Sequence, residues 1–165
     1  MAGDSPSTAT CVGDGVRARY RRMSSRSPDD INPVHVAVIC DENYAMPLAA
    51  MLASLAANLD PDRRLVIHAL GHDLKAPVWD RLTRSLPEGR AQWHRIDVDT
   101  TGLCREGFGT RAYDHISPVC YLRLLLPELL PGDVEKVLYL DCDLIVREDL
   151  SSLWETDVSA TAFAA

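Results

Sequence analysis

Short apolar runs that alternate with helical stripes leave this chain few architectures. Val34–Cys40, Arg64–Leu70 and Val137–Leu140 have the length and make-up of strands buried on both faces, and Ala91–Val98 is a weaker, alternating one. Between the first two runs, Leu48, Met51, Leu52, Leu55 and Leu59 form one apolar stripe over Ala45–Leu59. Pro47 lies in its first turn, and Asn58, Asp60 and Pro61 stop it. Lys75–Ser85 repeats the pattern with Val78, Trp79 and Leu82 on the inner face. Thr100–Tyr113 holds Gly102, Gly107 and Gly109 without a period and reads as a long loop, a common form for a functional lid. Ser117 as N-cap and Pro118 at the first helical position open a further helix through Tyr121, Leu122, Leu125 and Leu129. Pro131-Gly132-Asp133 breaks it, the fourth strand follows, and Asp149–Trp154 reads as a short helix or turn. The order β-α-β-α-β-loop-α-β predicts an α/β fold: a mostly parallel, Rossmann-like sheet flanked by helices, with right-handed crossovers.

Residues 1–33 are rich in Ser, Asp, Gly, Pro and Arg, so we expect a disordered N-terminal tail, with the ordered domain over 34–165. Met23 is an alternative start. The basic cluster Arg17–Arg22 reads as part of that solvated tail; peripheral contact with anionic lipid or an acidic partner is its alternative. A net charge of -7 argues against general nucleic-acid binding. Cys11, Cys40, Cys104, Cys120 and Cys142 are odd in number and lack C-x-x-C spacing, which suits reduced thiols in a cytoplasm. No apolar run reaches transmembrane length, and the N-terminus has no apolar signal region.

The last strand ends in Asp141-Cys142-Asp143. In an extended backbone residues i and i+2 share a side, so the two carboxylates aim together and Cys142 faces away. Converging acids repel unless a positive charge sits between them, and oxygen ligands suit magnesium or manganese. The competing reading is a helix N-cap or turn former. A second acid cluster, Asp41-Glu42-Asn43, ends the first strand. Ligand crevices in such sheets lie outside the strands' carboxyl ends, so both clusters point to one site.

Three stretches resemble glycosyltransferase family 8: Val36–Ala45 its opening strand, Ile116-Ser117 with Tyr121-Leu122-Arg123-Leu124 its middle helix, and Val137–Asp143 its Asp-x-Asp strand. Leu153-Trp154 is similar to the segment that follows. The resemblance implies a GT-A fold and a retaining transferase that moves a hexose, glucose or galactose, from a UDP-sugar to an acceptor hydroxyl. The acceptor would be a carbohydrate, a lipid-linked molecule or a protein. It implies that Asp41 and Asn43 hold uracil and ribose, that Tyr44 stacks on uracil, and that Arg123 contacts the donor. Asp141 and Asp143 would be ligands of manganese (or magnesium). The family's third metal ligand, a His in a C-terminal motif, has no match here, since His35, His68, His72, His94 and His115 all precede the acid pair. The sequence thus reads as the nucleotide-binding part of such an enzyme, truncated at the C-terminus. Two alternatives stand beside it: a magnesium-dependent phosphatase of the haloacid-dehalogenase type, whose Asp-x-Asp supplies a nucleophile, and a non-catalytic UDP-binding remnant.

Overall fold

The computed structural model describes residues 9–12, 16–22, 33–71, 74–99 and 118–161. Its strands form one sheet: β1 (Ala9–Val12), β2 (Val16–Arg22), β3 (Val34–Cys40), β4 (Leu65–Gly71), β5 (Ala91–Asp99) and β6 (Leu138–Tyr139), in the order β1-β2-β5-β4-β3-β6. β5, β4, β3 and β6 run parallel, and the β1–β2 hairpin adds antiparallel to the outer side of β5. The helices are α1 (Ala45–Asn58), α2 (Ala76–Thr83), α3 (Leu126–Leu129) and α4 (Ser151–Trp154).

Two cores sit on the two faces. Alternation sends Val34, Val36, Val38 and Cys40 of β3 to the face covered by α1 and α2, where Leu48, Met51, Leu52, Leu55, Val78, Trp79 and Leu82 meet them. Ala37 and Ile39 face the other way, against Leu70, Ile96, Val98, Leu122, Leu126 and Leu129. Both helical stripes read from the sequence are therefore the buried ones. Burying each of these large side chains contributes on the order of 1.5–3 kcal/mol before chain entropy is charged against it.

Two expectations are corrected. The tail expected to be disordered over 1–33 contains β1 and β2. The residues Val16-Arg17-Ala18-Arg19-Tyr20-Arg21 alternate with period two. That pattern buries Ala18 and half-buries Tyr20 on the second core, and sets Arg17 and Arg19 in register with Asp99 and Asp97 of β5. Three of the arginines that look like a solvated cluster in sequence, Arg17, Arg19 and Arg21, are every second residue of a strand. The remainder of 1–33, apart from Pro33, lies outside the described residues. The helix expected from Ser117 is also different: Pro118–Leu125 is a 3-10 helix and only Leu126–Leu129 is α-helical. Pro127 has no N–H to give to residue 123, and its ring crowds that carbonyl, so one continuous α-helix cannot pass through it. The loop at Thr100–Tyr113, the Ser117 cap and the final residues 162–165 lie outside the described residues.

Two side chains fasten the segment after the acid pair to α1. Asn58 Nδ2 donates to Val146 O at 3.1 Å, and Ser54 Oγ accepts from Val146 N at 2.9 Å. Asp149 Oδ1 accepts from Asp60 N at 3.1 Å, a contact that, with Ser151, holds its carboxyl below the usual range. Lys136 Nζ donates to Trp154 O and lies 4.7 Å from the Trp154 ring centroid, joining the start of β6 to α4.

Candidate donor site at the carboxyl end of the sheet

β3 and β6 are neighbours, with Val36 opposite Leu138 and Ala37 opposite Tyr139. Leu140 N continues the ladder to Ala37 O at 3.1 Å. One step on, the Cys142 thiol donates to Ile39 O at 2.9 Å. These contacts bring the two acid-bearing strand ends side by side at the sheet's carboxyl mouth.

On β3's side, Asp41 caps a 3-10 helix over Glu42–Tyr44. Its Oδ1 accepts from Asn43 N at 2.9 Å and from Tyr44 N at 3.2 Å. Tyr44 follows at 51% exposure and belongs to neither core. Asn43 is exposed beside it. Glu42 pairs with Lys75 at 3.1 Å, tying this turn to the segment that enters α2.

On β6's side, Asp141 and Asp143 are exposed and Cys142 between them is buried in the first core. The strand itself ends at Tyr139 and a turn covers Cys142-Asp143, so the acids project from a turn rather than from a continuing strand. The Tyr139 hydroxyl donates to Asp141 Oδ1 at 2.7 Å. Arg123, on the 3-10 helix, lies over the Tyr139 ring at 5.8 Å from its centroid. Burial first, then the Asp141 hydrogen bond and charge, push the Tyr139 phenol well above its usual range, with Arg123 pulling weakly the other way. The Cys40 thiol is also held far above its usual range, first by its hydrogen bond with the Cys142 thiol and then by burial, so Cys40 does not resemble a reactive thiolate.

The structure thus gathers Asp41, Asn43 and Tyr44 on one strand end and Asp141, Asp143 and Arg123 around the next. Tyr139 is the participant that motif reading missed. Strand spacing does not show it, because the strand ends at Tyr139 and Asp141 lies beyond it.

The donor chemistry of Asp141 and Asp143 suits a hard divalent cation as a partial ligand set, leaving positions for phosphate oxygens and water. Among the described residues no three His, Cys, Asp or Glu side chains gather closely enough to hold a metal ion. His35, His68 and His94 lie far from this chemistry, side by side across β3, β4 and β5. His35 Nδ1 and His68 Nε2 are 2.9 Å apart, and the His68 and His94 rings meet edge to face at 4.9 Å.

A mostly parallel sheet between helices, with acids at adjacent carboxyl ends, has the form of a GT-A nucleotide-sugar domain. Its sequence matches the description Glycosyl transferase family 8 over residues 35–165, and the chain belongs to that family. General stress protein A of Bacillus subtilis (strain 168) is 28% identical over 133 residues, 80% of this chain and 45% of that protein. The probable galacturonosyltransferase-like 4 of Arabidopsis thaliana is 23% identical over 88% of this chain and 41% of its own length. Among solved structures, the galactosyltransferase LgtC in complex with donor and acceptor sugar analogues superposes with a TM-score of 0.65. It is 32% identical, over 76% of this chain and 43% of LgtC. The chain spans less than half the length of each of these relatives.

Proposed function

We propose that the protein binds a UDP-sugar at this mouth and serves the retaining transfer of a hexose, glucose or galactose, to an acceptor hydroxyl. The observation that supports the reading is the junction of β3 and β6, whose pairing makes the strands that lead into Asp41 and into Asp141–Asp143 neighbours at the carboxyl end of the sheet. Asp41 and Asn43 hold uracil and ribose, and the exposed Tyr44 ring stacks on the base. Arg123 forks onto phosphate or sugar oxygens. Asp141 and Asp143 would hold Mn2+ (or Mg2+), which when bound supplies Lewis-acid neutralisation of the diphosphate leaving group. The residues of the mouth fix the donor so that the bond from sugar C1 to the diphosphate breaks and a bond to the acceptor oxygen forms on the same face. The transition state at C1 has oxocarbenium character. The acceptor is a carbohydrate, a lipid-linked molecule or a protein. Family membership leaves the phosphatase alternative without support.

Among the described residues no helix is long and apolar enough to cross a membrane. Buried free thiols at Cys40 and Cys142 suit a reducing compartment, and we place the protein in the cytoplasm.

The test is thermal unfolding with UDP and Mn2+ added singly and together. We expect UDP to raise the midpoint only with Mn2+ present, and Asp143→Ala to remove that shift. A midpoint shift with UDP that is equal without the metal, or undiminished in Asp143→Ala, removes the metal assignment.

A further inference from the structure

Tyr139 reaches the site in a way the acid pair alone does not require. Its backbone is set by pairing with Ala37 on β3, and its ring packs against the second core. From this seat its hydroxyl donates to Asp141 Oδ1 at 2.7 Å, while Arg123 covers the ring at 5.8 Å. Asp141 is exposed and begins a turn, where a carboxylate has several rotamers of similar energy. A phenol anchored on the strand removes that freedom.

We propose that Tyr139 is a positioning residue of the donor site: its hydroxyl holds Oδ1 of Asp141, which leaves Oδ2 as the oxygen that would be available to a divalent cation. This rests on the reading of Asp141 and Asp143 as cation ligands. A ligating carboxylate is ordinarily oriented by a hydrogen bond to its other oxygen, and loss of such a partner weakens metal binding without removing a ligand. The same ring joins Arg123, an expected donor contact, to the acid. Disturbing Tyr139 therefore reaches both the cation and the diphosphate end of the donor.

Tyr139→Phe keeps the ring, its packing and the Arg123 contact while deleting the hydroxyl. The probe is Mn2+ in the presence of UDP, titrated by loss of the free-ion electron paramagnetic resonance signal, with the bound-ion line shape recorded. Wild type, Tyr139→Phe and Asp141→Asn are compared, and each is checked by its thermal midpoint without ligands. We expect Asp141→Asn to lose Mn2+ binding. Tyr139→Phe should bind about 10- to 100-fold more weakly, with a changed line shape and a midpoint close to wild type. Wild-type affinity and line shape in Tyr139→Phe, alongside loss in Asp141→Asn, overturn the positioning role and leave the acid pair standing. A wild type that binds no Mn2+, or an Asp141→Asn variant that binds like wild type, overturns the acid-pair reading and this inference with it.

Discussion

Acid should weaken this fold in part through His68. His68 is fully buried at the centre of β4, between His35 and His94. Burial first, then the like charges of His94 and His35, lower its pKa from 6.5 to about 3. Among the described residues its Nδ1 has no hydrogen-bond partner, so a second N–H would enter the sheet without an acceptor. The unfolded chain takes up a proton near pH 6.5, and the folded chain does not until about pH 3. Stability from keeping His68 neutral is therefore complete above pH 6.5 and falls as pH drops through the window from 6.5 to 3. At pH 5 the unfolded state is favoured by the gap between 6.5 and 5, about 2 kcal/mol at 1.36 kcal/mol per unit. The assay is urea unfolding at pH 7.5 and pH 5.0 for wild type, His68→Leu and His68→Asn. Both variants are expected to be less stable at pH 7.5, because the contact between His35 Nδ1 and His68 Nε2 is lost. Between the two pH values, however, wild type should lose about 2 kcal/mol more than either variant, since shared carboxylates cancel in the difference. An equal loss in all three proteins would refute the reasoning.

Two further outcomes follow from packing. A Cβ at Gly71 would lie 2.6 Å from Trp79 Cζ2 and 2.9 Å from Leu74 Cδ1. Gly71→Ala should cost about 1–3 kcal/mol in urea unfolding, and an unchanged midpoint would show that Trp79 can give way freely. Arg90 donates to Ala56 O at 3.1 Å, Leu59 O at 2.8 Å and Arg63 O at 2.8 Å, closing the end of α1 against the turn that leads to β4. Arg90→Met should cost on the order of 2–3 kcal/mol, and Arg90→Lys should recover only part of it, because a point charge cannot span three carbonyls. Full recovery by Lys would mean that charge, not the fork, is what matters there.

The proposed donor mouth and the stabilising devices lie on different parts of one sheet. The residues proposed to hold the donor follow the carboxyl ends of β3 and β6. The histidine row and Arg90 belong to the body of the sheet and the closing of α1. Substitutions at His68 or Arg90 should therefore move stability without altering how the mouth meets a nucleotide.

The local patterns fully specify much of this protein. The stripe from Leu48 to Leu59 and the run Val34–Cys40 each report a period, and a period depends only on neighbours along the chain. Even the two misread segments had local signals, the two-residue period in Val16–Arg21 and the proline at 127. Only the tertiary structure decided which strands meet: the hairpin's seat on β5, the order β1-β2-β5-β4-β3-β6, and the β3–β6 junction. The contacts that rest on those pairings were likewise outside the reach of spacing. Tyr139 under Arg123, Cys142 against Ile39, and His68 between two other histidines join residues far apart in sequence. Such contacts are set when sheet register and the packing of two cores are satisfied together, and no single segment contains that information.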